Sequence, residues 1–254
     1  MDLNFRDKVA LITGGSSGIG RETAVSFARE GAKVVVAARR VKEGTETVEL
    51  VRAAGGEASF VQTDVSQSAD VIAMVDHCIS TYGRLDFAFN NAGVEGTVFT
   101  PTVHYDEQVW DQVININLKG VWLCMKYQIP KMLASGGGAI VNMSSVAGLY
   151  GSTIGVAYTA SKHGVIGATK TAANECATKG IRINAICPAV IQTPMADRGF
   201  YQNKDITQQD VASWHRMNRV GTAAEVASAV LWLCSDGAGF VTGHALPIDG
   251  GMLM

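Results

Sequence analysis

The chain predicts an α/β fold with a doubly wound parallel sheet, built as a single domain over residues 1–254. Three observations predict it. Short apolar runs rich in Val, Ile and Ala alternate with amphipathic stretches of helical length along the whole chain. The runs are continuous rather than alternating in polarity, which marks strands covered on both faces. The composition is 47% hydrophobic and only 17% charged, with 28 glycines, so it supplies a large core and many tight turns.

The elements follow in order. A strand is expected over residues 9–13 (Val-Ala-Leu-Ile-Thr), then a helix over 19–29. A second buried run at 33–38 precedes a helical pattern at 41–53, and a short strand at 57–62 precedes a helix at 69–81. Residues 85–89 read as the fourth strand. Residues 106–134 read as one long helix, stopped by glycines 136–138, and 139–143 as the next strand. A helix over 158–178, a strand over 182–187, a helix over 223–235 and a short strand over 245–248 complete the series. Strand–helix alternation of this kind needs right-handed crossovers, and therefore parallel strands. Residues 194–219 carry no such pattern. A connection that long in a compact domain is expected to be functional or mobile.

Composition excludes several classes. With 21 basic and 23 acidic residues the formal charge is −2, so nothing points to a nucleic-acid partner or a charged tail. No run of about 18 apolar residues exists, so no membrane span is expected. The first residues, Met-Asp-Leu-Asn-Phe-Arg-Asp-Lys, lack the apolar core of a signal peptide. Five cysteines without a C-x-x-C pair read as reduced, buried thiols of a cytoplasmic protein. Histidines 77, 104, 163, 215 and 244 show no metal-ligand spacing, so no metal is expected.

The first strand runs into Thr13-Gly14-Gly15-Ser16-Ser17-Gly18-Ile19-Gly20, which opens the first helix. Gly14 permits a tight turn, Gly18 lets a pyrophosphate approach the backbone, and Gly20 lets the helix pack closely. The helix N-terminus adds N–H donors and partial positive charge. The spacing is G-x-x-x-G-x-G, and no Gly-Lys-Ser/Thr follows, so this is not a nucleoside-triphosphate loop. Gly14, Ser16, Ser17, Gly18, Ile19 and Gly20 are therefore candidate contacts of a dinucleotide in a Rossmann fold. An acid that binds the ribose 2′-hydroxyl is expected at the end of the second strand. That end reads Ala37-Ala38-Arg39-Arg40. Arg39, assisted by Arg40, suits a 2′-phosphate instead. NADP(H) is the expected cofactor and NAD(H) the alternative.

Tyr158 and Lys162 stand four residues apart in a helical stretch and share a face. A nearby ammonium is expected to lower the phenol's pKa, so that Tyr158 acts as acid in reduction and base in oxidation. Ser145, after the fifth strand, can hydrogen-bond a substrate oxygen.

Taken together these residues resemble the short-chain dehydrogenase/reductase family in its compact, single-domain branch, over nearly the whole chain. Thr13-Gly14-x3-Gly18-Ile19-Gly20 matches the cofactor turn, and Asp64-Val65 the pair near the adenine. Asn90-Asn91-Ala92-Gly93 matches the motif after the fourth strand, which places Asn91, Ala92 and Gly93 beside the cofactor. Asn117, Ser145, Tyr158 and Lys162 match the four catalytic positions, Ser145 lying thirteen residues before the tyrosine. The resemblance implies that Lys162 and Tyr158 also hold the cofactor, and that Asn117 holds a water of a proton relay. Pro188-Ala189-Val190-Ile191-Gln192-Thr193 matches the segment beside the nicotinamide, making Pro188, Ile191 and Thr193 candidate contacts. Asp249-Gly250-Gly251 also fits. The family usually has glycine where this chain has Ala189, which adds a methyl and restricts φ.

The implied activity is an NADP(H)-dependent oxidoreductase that interconverts a carbonyl and an alcohol. Rival readings are an NAD(H)-dependent alcohol or sugar dehydrogenase, a dehydratase or epimerase, and a non-catalytic dinucleotide sensor. The resemblance implies a homotetramer that pairs the helices of 106–134 and 158–178, and a cover for substrate at about 194–219. Phe200, Tyr201, Trp214, His215 and Met217 read as that lid or an aromatic pocket wall. Glu95 reads as a solvated loop carboxylate in preference to one facing substrate, His163 as a surface or packing residue, and Leu149-Tyr150-Gly151 as a pocket-lining loop.

Overall fold

The computed structural model describes residues 3, 5–201 and 206–254. Residues 1, 2 and 4 of the N-terminal stretch and 202–205 of the expected cover lie outside the described residues. Seven strands form one sheet in the order 3-2-1-4-5-6-7: β1 (Val9–Thr13), β2 (Lys33–Ala38), β3 (Ala58–Gln62), β4 (Phe87–Asn90), β5 (Gly138–Met143), β6 (Ile181–Pro188) and β7 (Ala245–Ile248). Every neighbouring pair is parallel. The winding reverses between β1 and β4, which opens a crevice at the carboxyl ends of these strands.

The helices are α1 (Gly18–Arg29), α2 (Val41–Ala53), α3 (Ser68–Tyr82), α4 (Glu107–Ile114), α5 (Gly120–Ala134), α6 (Val156–Cys176), α7 (Pro194–Ala196), α8 (Gln208–Ser213) and α9 (Ala223–Cys234). The period of two divides each strand between two layers. Ala10, Ile12, Val34 and Val36 pack with residues of α1, α2 and α9. Val9, Leu11, Val35 and Ala37 pack with α3, α5 and α6. The continuous Val/Ile runs are thus buried on both faces, as a doubly wound sheet requires. None of the helices in the described residues is long and apolar enough to cross a membrane.

Two expectations need correction. Residues 106–134 are not one regular helix: a π turn at Asn115–Lys119 separates α4 from α5. Asn117 lies within this turn and is fully buried. Apolar periodicity cannot register one extra residue per turn. The fourth strand begins at Phe87 rather than 85, because the buried Asp86 carboxylate accepts the Val9 amide at 3.0 Å and both Arg84 and Lys8. The stretch from 194 is also more regular than its sequence suggests. It holds α7, a π turn at Asp197–Tyr201 and α8, whose N-terminus carries a Thr207–Asp210 capping box.

Candidate active site

A cleft of about 1000 Å³ runs across the carboxyl ends of the central strands. Gly14, Ser16, Ser17, Gly18, Ile19, Arg39, Arg40, Asp64, Val65, Asn91, Ala92, Gly93, Tyr158, Lys162, Pro188, Ile191 and Thr193 all line it. Gly20 does not. It sits behind the turn, where a side chain would strike the Gly14 carbonyl, so its role is close packing.

At one end the turn after β1 is held from the neighbouring strand. Asn91 Nδ2 donates to the carbonyls of Thr13 (3.0 Å) and Gly14 (3.2 Å), while the Thr13 hydroxyl accepts the amides of Asn91 and Ala92. Gly14 has φ +64° and Gly18 φ +52°, values that favour glycine. Ser17 at the N-cap of α1 makes no side-chain capping bond, which leaves the first-turn amides directed at the cleft. Arg40 donates to the hydroxyls of Ser16 (3.1 Å) and Ser17 (2.9 Å) and pairs with Glu43. Arg39 makes no ion pair among the described residues. Asp64 accepts the amide and hydroxyl of Ser66, and Val65 packs on Gly120.

At the other end stand the four candidate catalytic residues. Lys162 is buried on α6, and its Nζ donates to the Met143 carbonyl at 2.9 Å. Its ammonium lies 5.3 Å from the centroid of the Tyr158 ring. Burial pushes this lysine down to about 8, with the Cys187 thiol opposing. The sequence expectation was a phenol lowered by the lysine. Instead, desolvation pushes Tyr158 up to about 12, against the lowering effect of the facing Ser145 hydroxyl and with a smaller upward push from Glu95. The ammonium stands over the ring and spends one of its protons on Met143, so burial outweighs it. Ser145 Oγ donates to the Pro188 carbonyl at 3.4 Å and accepts the Ala147 amide at 3.2 Å. Asn117 clamps Val94 through both its amide and its carbonyl (2.8 and 2.9 Å) and donates to Ser161. A side chain on Gly93 would lie 3.2 Å from Asn117 Oδ1 and 3.7 Å from Lys162 Nζ, so this glycine keeps the space between them open.

Ala189 is not among the described residues with positive φ, so the usual glycine is replaced without backbone strain. Of the lid residues, Phe200 and Trp214 line the cleft, whereas Tyr201 and Met217 do not. His215 is buried beneath them: its Nδ1–H donates to Val211 O (3.0 Å) and its Nε2 accepts the Val190 amide (3.3 Å). Tyr150 also lines the cleft, and His163 is exposed. Glu95 is not a solvated loop carboxylate. It lines the cleft and takes both Nε (2.8 Å) and Nη2 (3.3 Å) of Arg198 on its two oxygens. These residues are 103 apart, and no local pattern could have paired them. A buried network of Asn90, Gln128, Asn142 and Thr169 lies under the site; its signal was the two asparagines inside otherwise apolar strands.

Comparison with known proteins agrees with this geometry. The family described as Enoyl-(Acyl carrier protein) reductase matches residues 14–253. Cyclohexanol dehydrogenase of Acinetobacter sp. (strain SE19) is 42% identical over 250 residues, covering 98% of this chain and 96% of that protein. The A-factor type gamma-butyrolactone 1'-reductase (1S-forming) of Streptomyces virginiae is 43% identical over 249 residues, covering 96% and 95%. The crystal structure of levodione reductase superposes with a TM-score of 0.93 at 38% identity, covering 97% of each chain. With the glycine turn, the Asn91 brace and the Ser145, Tyr158 and Lys162 cluster on one cleft, the chain belongs to the short-chain dehydrogenase/reductase family of NAD(P)(H)-dependent oxidoreductases acting on carbonyl and alcohol groups.

Proposed function

We propose that the protein is an NADP(H)-dependent carbonyl reductase, reversible as an alcohol dehydrogenase, in which Tyr158 is the general acid and base. The observation that carries this reading is the Tyr158 phenol facing the Ser145 hydroxyl, with the Lys162 ammonium 5.3 Å from its ring. A nicotinamide dinucleotide fits the residues present: the uncapped first turn of α1, the positive-φ glycines and the side-chain-free space at Gly93 form a cradle a Cβ would fill. When bound, it supplies or accepts the hydride.

The chain's own residues do the rest. Ser145 hydrogen-bonds the substrate oxygen, and Tyr158 Oη gives that oxygen a proton in reduction. A phenol pushed up to about 12 is protonated at neutral pH, the form that donates the proton in reduction. Lys162 holds the cofactor ribose, and Asn117 keeps Val94 and Gly93 in place and links Lys162 to solvent. Arg39, without an ion pair among the described residues, receives a 2′-phosphate, and Arg40, braced on Ser16 and Ser17, assists. Residues 194–219 cover the substrate. A homotetramer, with half-exposed Trp110 and Trp122 on α4 and α5 at its interface, and a cytoplasmic location complete the reading.

Tyr158→Phe keeps the ring and removes the proton. It is expected still to bind NADPH and to lose roughly 10²–10⁴-fold in kcat on any accepted ketone. Unchanged turnover would overturn the assignment. Arg39→Asp is expected to weaken NADPH far more than NADH, by tenfold or more in the ratio of KM values, about the size of one charge-assisted contact. Equal effects on both cofactors would refute the Arg39 reading.

A further inference from the structure

The cleft has an uneven charge distribution. Among the described residues, the Asp, Glu, Lys and Arg side chains that line it are Arg39, Arg40, Asp64, Glu95, Lys162 and Arg198. The first three stand at the end defined by the turn after β1, and Lys162 is buried with its Nζ on Met143. That leaves Glu95 and Arg198 as the charges at the substrate end, and they neutralise each other in a two-bond fork. Glu95 is the more enclosed partner, with 17% of its side chain exposed against 51% for Arg198. The remaining wall there carries no further charge among the described residues: it mixes neutral polar side chains such as Gln112, Tyr150 and Thr153 with aromatic ones. Phe99, Phe200 and Trp214 meet edge to face, with centroids 5.9 and 5.6 Å apart.

We infer that the Glu95–Arg198 pair is a specificity device that restricts the site to uncharged ketones and secondary alcohols. This rests on the carbonyl-reductase reading and names its substrate class. Among the described residues, a carboxylate substrate finds no cation in this part of the cleft that lacks a counter-ion. To take the Nε and Nη2 edge of Arg198 it must displace Glu95, and the freed carboxylate, itself largely enclosed, then faces the incoming one. An ammonium substrate meets the mirror-image problem at Glu95. A neutral ring or chain leaves the fork intact and packs its carbon surface on the three aromatics.

Three probes of similar shape test this: 4-methylcyclohexanone, 4-oxocyclohexane-1-carboxylate and 4-aminocyclohexanone at pH 7. Binding is read by calorimetry, and kcat/KM by NADPH absorbance. The wild-type protein is expected to prefer the neutral ketone at least 30-fold over either ion. Glu95→Gln frees Arg198 and gains the carboxylate at least tenfold relative to the neutral probe. Arg198→Met frees Glu95 and gains the ammonium by a similar factor. The double variant regains the neutral preference. A merely structural strap predicts equal losses for all three probes in both single variants, and that result overturns the proposal. So does wild-type binding of the three within threefold of one another, which needs no variant to fold. Binding preferences that follow the expected pattern with no turnover on any probe would support the specificity role and break the reductase reading alone.

Discussion

The floor of the cleft and its roof are held by different physics. The floor is strand ends, the residues just beyond them and the inward face of α6. Thr13, Asn90, Asn142 and Lys162 are almost wholly buried, and none of the described buried side-chain polar atoms lacks a partner. The roof is short helical turns from residue 194 onward; among the described residues it meets the body through the Glu95–Arg198 pair, the Phe99–Phe200 ring contact, the His215 tether and a small apolar cluster of Val190, Ala196 and Val211. A network of satisfied, buried polar groups fixes atoms in place. A half-exposed ion pair, partly exposed rings and a small apolar cluster set shape and charge but hold less energy than the main core. The comparison assigns geometry of reaction to the floor and choice of substrate to the roof, so each can change without the other.

The largest effect is expected where the floor carries a buried cation. Lys162→Met is expected to abolish turnover, by at least 100-fold in kcat, and yet to stabilise the fold. Folding lowers this lysine from 10.5 to about 8, so its protonated form opposes folding at neutral pH. The shift corresponds to about 3 kcal/mol, and the Met143 carbonyl left unpaired in the variant takes back about 1 kcal/mol. The net gain is read as a rise in Tm of about 2–6 °C at pH 7. The sign fixes a window. Between about pH 8 and 10.5 the unfolded wild-type chain binds more protons at this site than the folded one, so wild-type stability gains with rising pH and the advantage of the variant shrinks. A variant that is less stable at pH 7 and keeps a constant difference up to pH 10 would show that the floor does not hold Lys162 against its own solvation.

The two regions also differed in how far sequence exposed them. The turn after β1 works through backbone conformation, and backbone conformation leaves glycines at fixed offsets: Gly14, Gly18 and Gly20 could be assigned roles before any coordinates. Tyr158 and Lys162 are four apart on one helix, again a local relation. The alternation of Val-rich runs with helices gave every strand of the sheet, with the fourth displaced by Asp86. Other features depend on contacts across the fold. Glu95 and Arg198 meet over 103 residues. The π turn at Asn117 changes a helix phase by a single residue. The upward shift of Tyr158 reflects desolvation, which no spacing of residues records. Function encoded by local backbone geometry is legible in sequence; function encoded by tertiary side-chain pairing is not.

A smaller effect sharpens the chemistry of the floor. The Tyr158 phenol, pushed up to about 12, is protonated throughout the neutral range, while Lys162 passes from charged to neutral near pH 8. Ketone reduction needs the phenol and is expected to stay level from pH 6 to 7, then fall above about 8 as the lysine loses its charge. Alcohol oxidation needs phenolate, and its kcat is expected to climb severalfold from pH 7 to 9. The profiles are to be measured in both directions with saturating cofactor. An oxidation rate already at its plateau at pH 7 would mean that the phenol is depressed in the working enzyme, and that the floor is tuned by what it binds rather than by its own burial.

The smallest effect belongs to the roof. Trp214 faces the cleft, half-buried, with its edge on Phe200, and the neighbouring His215 anchors the end of α8 to Val190. Removing the indole takes apolar surface from substrate contact, worth about 1–1.5 kcal/mol, or roughly tenfold in affinity. It leaves Ser145, Tyr158 and Lys162 untouched. Trp214→Ala is therefore expected to raise KM for a neutral ketone about tenfold, with kcat within threefold of wild type. His215→Gln keeps a donor and an acceptor near the same atoms, and is expected to follow the same pattern at a smaller scale. Loss of uniform binding appears in KM, whereas loss of an interaction made only at the transition state appears in kcat. If Trp214→Ala lowered kcat tenfold at constant KM, the roof would share in the chemistry, and the division between a reacting floor and a selecting roof would fail at this residue.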